Sequence, residues 1–321
     1  MSIRAFSLNE IGGRKNVEDA IMPKSFNAQQ PKLFIVCDGV GGSSFGEVAS
    51  ELATKSYYET FAPANIQSES EFKNLLNESL KLFQQRVSNF IEENPSAANT
   101  STTLTLLVLS KDKAYLAWCG DSKIFHLRNG MPIYKTQDHS LVAELVAQGV
   151  ITEAEAETHP QRNIITRSLN ANTKTTDVST VILNDIKKED WFLLCTDGLM
   201  EQFTESMFPA ILGKFNASTN YSEIIDKICY GKTKDNYSMY LVYIDGAPAK
   251  SGSKMTLLLI VLFILSAGGW FAYSQWFNSS EEVTPSSLEE PEVKSIMMER
   301  PVNTDTSTSD SSKTPVKDSI K

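Results

Sequence analysis

Three apolar runs in this chain stop on an aspartate beside a glycine: FIVCDGVGG at Asp38, LAWCGDS at Asp121 and FLLCTDGLM at Asp197. Short aliphatic and aromatic runs closed by turn signals read as buried strands. Upstream, GGRKNVEDA sets Glu18 beside Asp19, and downstream KDNYSMYLV puts Asp235 ahead of a further apolar run. Acids placed repeatedly where strands run out imply carboxylates converging from distant stretches onto one site. Such a cluster repels itself unless cations neutralise it, and oxygen-only ligands favour hard divalent ions such as Mg²⁺ or Mn²⁺. That is the pattern of a metal-assisted hydrolase.

Composition shifts near Pro248, so the 321 residues read as one large domain, 1–247, followed by appended segments. A net charge of −9 argues against nucleic acid as a partner, because phosphate backbones are bound through basic surface. It leaves room for a phosphorylated substrate if metal ions supply positive charge locally. Cys37, Cys119, Cys195 and Cys229 show no CxxC spacing. Three of them close apolar runs, where cysteine serves as a small buried hydrophobe; a zinc site or disulfide is the alternative. Free thiols and the lack of an apolar core in MSIRAFSLNEIGG place the domain in the cytoplasm.

Residues 248–254 carry Lys250 and Lys254 and read as a basic linker. The next segment, 255–277, is uncharged and apolar, with Trp270, Tyr273 and Trp276 toward its far end. A spanning helix needs about 20 such residues, and interfacial aromatics anchor it. One transmembrane helix is therefore expected, with the lysine-bearing side cytoplasmic. The Ser-, Thr- and acid-rich stretch 278–321 reads as a disordered tail outside the cell.

Within the domain, strands are expected at 32–37, 102–109, 114–119, 124–128, 191–195 and 238–244. Helices are expected at 46–62, 69–93, 141–148, 153–157 and 222–230. Phe72, Leu75, Leu76, Leu80, Phe83 and Val87 recur at three- and four-residue spacing in the second helix. Consecutive strands with short polar turns favour antiparallel sheets with helices packed outside.

The motifs RKNVEDA, CDGVGGSSFGEVAS, TSTTLTLLVL, AWCGDSKIFHLRNG, DHSLVAELVAQGVITEAEAETHPQRNIITRSL, CTDGLME and DNYSMYLV occur in order over residues 12–244. Together they resemble the metal-dependent protein phosphatase family (PPM, protein phosphatase type 2C), bacterial type. The resemblance implies an α+β fold: a two-sheet antiparallel β-sandwich flanked by helices on both sides. It implies two Mn²⁺ or Mg²⁺ ions held by Asp19, Asp38, the Gly39 carbonyl, Asp197 and Asp235. Asp121 would join Asp197 around a third, weaker ion, and Glu18 matches an acid that holds metal-bound water. Arg14 matches the arginine that clamps substrate phosphate, a planar fork suited to two oxygens. Asn236 would orient Asp235. The reaction implied is attack of a bridging water or hydroxide on phosphoserine or phosphothreonine, with no phosphoenzyme. Partners implied are phosphoproteins, targets of Hanks-type kinases. The alternative is a membrane-anchored scaffold or sensor that binds phosphoproteins without turnover.

Taken singly, the residues have plainer readings. Asp38 and Asp197 suit turns, Glu18 and Asp19 suit a helix start, and Arg14 suits an open surface. Arg162 and Asn163 fit either a flap beside the site or a helix end, and His139 reads as a structural hydrogen-bonder. Three positions depart from the family pattern. Val40 stands where some members carry a histidine, so no side-chain general acid is identified. Val17 replaces the asparagine usual before the acidic pair, and Lys123 replaces the common arginine.

Overall fold

Two five-stranded sheets, antiparallel throughout, carry the fold. The first runs β1 (Ile3–Glu10), β12 (Tyr237–Ile244), β11 (Trp191–Cys195), β8 (Lys123–Arg128), β9 (Met131–Lys135). The second runs β10 (Ser179–Leu183), β7 (Lys113–Cys119), β6 (Leu104–Ser110), β3 (Leu33–Cys37), β2 (Ala20–Met22). A two-residue ladder joins β4 (Gly39–Val40) to β5 (Ser101–Thr102). This computed structural model describes residues 1–40 and 45–246, all within one unit of the chain, Met1–Ser253. Gly41 and Gly42, the 248–254 linker, the 255–277 span and the 278–321 tail lie outside the described residues. Among the described residues no helix is long and apolar enough to cross a membrane.

The central strands are apolar at every position because both of their faces are covered. In β3, Phe34 and Val36 point between the sheets while Leu33, Ile35 and Cys37 point outward. In β11, Phe192 and Leu194 face the other sheet while Trp191, Leu193 and Cys195 face outward. Period-two alternation thus persists in space although the sequence shows an unbroken run. Helices α1 (Gly46–Phe61) and α2 (Glu69–Glu93) cover the outer face of the second sheet. A Ser68–Glu71 capping box starts α2, satisfying two backbone donors that the helix end leaves free. Its stripe of Phe72, Leu76, Leu80, Phe83 and Val87 packs with Tyr57 and Phe61, each such side chain contributing about 1.5–3 kcal/mol of burial. Short helices α5 (Asp197–Met200), α6 (Phe208–Leu212) and α7 (Tyr221–Cys229) cover the first sheet. The four layers are helix, sheet, sheet, helix. Helices α3 (Leu141–Ala147) and α4 (Glu153–Thr158) fall between β9 and β10 in the chain.

Every strand and helix expected from sequence is present, with ends moved by at most two residues. Strands β1, β9 and β10 have no local signature, because their pairing is long-range or their side chains are half exposed, and β2 is only three residues long. The ladder of β1 pairs Ile3 with Ile244 and Glu10 with Tyr237, across nearly the whole domain. No local pattern announces that. The plainer reading of Glu18 and Asp19 as a helix start fails: the segment leads into β2. All four cysteines are free and buried, which sets aside the disulfide alternative.

A buried ionic network closes the end of the first sheet where β8 finishes. Asp190, fully buried, accepts from Arg128 Nε at 2.8 Å, Arg128 Nη2 at 2.9 Å and the Lys187 backbone N–H at 2.8 Å. The His126 Nε2–H, the tautomer that an ionised Asp190 requires, donates at 2.8 Å, and the ring stacks on Phe192. Burial pushes the Asp190 pKa up, but the Arg128 and His126 hydrogen bonds win and hold it below the ordinary carboxylate value.

Candidate metal centre

Antiparallel order makes β3, β7 and β11 finish, and β2 and β12 begin, at one end of the sandwich. Asp38 follows β3, Asp121 follows β7, Asp197 opens α5 after β11, Asp235 precedes β12 and Asp19 precedes β2. Asp197 is therefore the first residue of a helical turn.

Their electrostatics show that these acids crowd one another. Burial pushes Asp19 up to about 7, and the charges of Asp197 and Asp235 add to it, while the nearby hydroxyls of Ser238 and Thr196 oppose the rise, Thr196 through a hydrogen bond. Asp38 is raised well above the ordinary range, first by burial and then by Asp19, Asp197, Asp121 and Asp235. Burial and Asp197 bring Asp121 to about 7. Asp197 rises through burial and the charge of Asp235. Buried like charges of this kind call for a compensating cation. The donor set is all oxygen, which suits Mg²⁺ or Mn²⁺ over softer metals. Among the described residues no three His, Cys, Asp or Glu side chains stand in a finished coordination cage. Individual carboxylates are instead tethered by protein donors: Asp19 Oδ2 by Thr196 Oγ1 at 2.9 Å, and Asp235 Oδ1 by the Asn236 backbone N–H at 2.8 Å.

The loop bearing Asp38 and Gly39 is pinned from three sides. Thr103 Oγ1 accepts from the Asp38 N–H at 2.9 Å, Thr102 Oγ1 donates to the Asp38 carbonyl at 2.8 Å, and Gly39 N–H reaches the Glu18 carbonyl at 3.1 Å. A Cβ on Gly39 would stand 2.4 Å from the Gly46 backbone and 2.7 Å from the Glu18 carbonyl, so only glycine fits this crossing. Gly198 is equally constrained: a Cβ there would lie 2.0 Å from the Asn236 carbonyl.

Arg14 Nη2 donates to Asp235 Oδ2 at 2.5 Å, while more than half of the arginine side chain remains exposed. The hydrogen bond to Asp235 is the main reason its pKa is raised. Arg14 therefore stands at the acidic end rather than on an unrelated surface. Glu18 lies near Arg14, whose pKa its charge helps to raise; Asn16 Nδ2 donates to its Oε1 at 3.3 Å, and a Cβ on Gly46 would lie 2.8 Å from its Oε2. Only the backbone N–H of Asn236 reaches Asp235; its side-chain amide is engaged elsewhere. Its Oδ1 accepts from the Glu18 N–H at 2.8 Å, and its Nδ2 donates to the carbonyls of Ile11 at 2.8 Å and Asn16 at 2.9 Å. The amide thus stitches the loop carrying Arg14 to the segment that carries Asp235 into β12.

No sequence signal marks Thr196, Ser238, Thr102, Thr103 or Asp138 as parts of this end, and Lys123 stands out there only as a departure from the family pattern. Lys123 is held by Asp138, and its Nζ also donates to the Asp121 carbonyl at 3.2 Å. Burial lowers its pKa, but Asp138 wins and raises it. Short hydroxyl residues at strand ends carry no signal of their own beyond their place next to an acid. Arg162 and Asn163 line a cavity of about 260 Å³ together with Asp121, Lys123, Asp138 and Asp197, which places them beside the site. His139 is structural, as expected: Nδ1 accepts from the Gly120 N–H at 3.2 Å and Nε2 donates to Ser179 Oγ at 2.9 Å.

The family model described as Protein phosphatase 2C matches residues 11–227. The serine/threonine phosphatase stp of Listeria monocytogenes serovar 1/2a is 30% identical over 221 residues, 67% of this chain and 86% of that protein. Serine/threonine phosphatase Stp1 from Staphylococcus aureus has a similar structure at TM-score 0.66 and 28% identity, covering 77% of this chain and 96% of that one. The catalytic domain of the serine/threonine protein phosphatase PstP, solved in complex with two manganese ions, shares the fold at TM-score 0.63 and 23% identity, over 76% of this chain and 99% of that one.

Proposed function

This chain belongs to the protein phosphatase 2C family of serine/threonine phosphatases, and we propose that the acids gathered at one end of its sandwich are the seat of that activity. The observation that carries the assignment is the mutual crowding of Asp19, Asp38, Asp121 and Asp197, buried at the ends of strands from distant parts of the chain. Phosphatases of this family use Mn²⁺ or Mg²⁺. In this chain Asp19, Asp38, the Gly39 carbonyl, Asp197 and Asp235 would hold two ions, with Asp121 and Asp197 beside a weaker third. Divalent cations supply Lewis acidity for the phosphoryl oxygens and an acidified water as nucleophile.

The chain's own residues do the rest. Arg14 offers a permanently charged fork to two phosphate oxygens, and its exposure lets the guanidinium swing from Asp235 to substrate. Asn236 keeps that fork in register with Asp235 by fastening the two loops. Val40 cannot deliver a proton, so the leaving serine or threonine oxygen takes its proton from water. Phosphate release from a phosphothreonine peptide is expected to require Mn²⁺ or Mg²⁺, to stop on chelation and to resume when metal is restored. Tight peptide binding with metal present and no phosphate released would favour the scaffold reading.

The uncharged, apolar 255–277 segment supports a second part of the proposal: a single-pass anchor in the bacterial cytoplasmic membrane. Lys250 and Lys254 support a cytoplasmic catalytic domain, with the 278–321 tail outside. Its substrates would be phosphoproteins made by Hanks-type kinases. The intact chain is expected to stay with membranes through an alkaline wash while a version ending at Ala247 is released. Release of both would sink the anchor.

A further inference from the structure

Asp19 enters the acidic end immediately before β2, almost wholly buried, and one of its two oxygens is already committed. Thr196 Oγ1 lies 2.9 Å from Asp19 Oδ2 and accepts the Ser238 backbone N–H at 3.0 Å. The threonine hydroxyl has one proton, and with its acceptor side used by Ser238 that proton goes to Asp19. The Thr196 backbone N–H donates in turn to the Ser238 carbonyl at 3.1 Å, so the hydroxyl cannot drift from β12. A second hydroxyl belongs to the residue that holds Thr196 in place: Ser238 Oγ is fully buried, has no hydrogen-bond partner, and lies near enough to Asp19 to hold its pKa down, so a turn of the serine side chain is all that a bond to the carboxylate requires. A buried hydroxyl without a partner is costly unless something nearby uses it.

We propose that Thr196 and Ser238 form a hydroxyl clamp that fixes the rotation of Asp19, spending Oδ2 inside the protein and presenting Oδ1 to a divalent cation. The inference rests on the reading of Asp19 as a cation ligand. Asp197 and Asp235 repel a free Asp19 carboxylate, which would otherwise turn away or take up a proton. The clamp holds it aligned before any cation arrives. Thr196 is the chain neighbour of Asp197, so one residue ties together two ligands whose positions differ by most of the domain. Both are positioning residues and touch no substrate.

The test is calorimetric titration of Mn²⁺ into the chelator-stripped full chain. Thr196→Val keeps the shape and removes the donor; Thr196→Ser keeps the donor. Loss of a partner that orients a metal ligand weakens affinity by about 10–100-fold, so Thr196→Val is expected to weaken Mn²⁺ binding by about 10-fold. Thr196→Ser is expected to restore it, and Thr196→Val to recover most of its turnover of p-nitrophenyl phosphate at saturating Mn²⁺. Ser238→Ala is expected to weaken binding less, and the double variant more than either. Unchanged affinity in Thr196→Val, or equal weakening by Val and Ser, would overturn the clamp. If Thr196→Val does not fold, unchanged affinity in Ser238→Ala overturns it. A wild-type chain that takes up no Mn²⁺ would instead remove the cation site itself, and the clamp with it.

Discussion

Replacing Asp38 by Asn is expected to abolish phosphate release while leaving the fold intact. An amide is the isostere of the protonated acid, and burial with four acidic neighbours favours that protonated form when no cation is bound. The metal-free variant should therefore melt within a few degrees of the metal-free wild type. The difference appears on adding Mn²⁺. A ligand at 100 times its dissociation constant stabilises the protein that binds it by about 2.7 kcal/mol, and the variant should forgo most of that. Turnover should fall further than the about 10–100-fold that follows loss of a ligand's supporting partner. Phosphate release and melting curves with and without metal check both halves. A variant that keeps wild-type turnover would remove Asp38 from the site.

The same acids set a pH dependence for the chelator-stripped protein. Asp19 and Asp121 sit at about 7 in the folded chain, against about 3.9 for an unfolded aspartate. The folded state thus binds more protons than the unfolded state between those values, and stability falls as pH rises through the window. Metal-free melts at pH 5.5 should exceed those at pH 8. Saturating Mn²⁺ should shrink or reverse the difference.

Removing the Asp190 carboxylate is expected to give the largest loss of stability. Asp190→Ala leaves the His126 N–H and the Lys187 N–H without their acceptor and Arg128 with Asp185 alone, at a fully buried position that accepted four hydrogen bonds. Breaking a buried ion pair from one side costs about 3–5 kcal/mol. In a domain of this size each kcal/mol shifts the melting temperature by about 2–4 °C, so a drop of about 10 °C is expected. Specific activity of the surviving folded protein should change little, because the network closes the other end of β8 from Lys123. A loss of activity without a loss of stability would contradict that separation.

Residues of two kinds were legible in the sequence. The acids Asp38, Asp121 and Asp197 announced themselves because each ends an apolar run, and the helical stripe from Phe72 to Val87 because its spacing is local. Glu18 stood out only as the neighbour of Asp19, and Arg14 and Asn236 became readable only through resemblance; alone, nothing about those two differs from ordinary polar residues. Strands β1 and β10 stayed hidden because their partners lie far away in the chain, and pairing across such distance leaves no periodic trace. Thr196 and Ser238 stayed hidden for another reason. A buried hydroxyl earns its role from what it faces, and facing is decided only when three strand ends meet. The partly apolar β9, MPIYK, reads as a loop because it is a half-exposed edge with a proline.

The ladder between Ile3–Glu10 and Tyr237–Ile244 has a bearing on how the enzyme comes into being. A ribosome delivers the first strand long before the last, so the opening segment must wait, unpaired, until nearly all of the domain has emerged. Contacts of such long range close slowly. Phosphatase activity is therefore withheld from every shorter nascent chain, and a newborn molecule becomes competent only as its final strand slides into place beside its first.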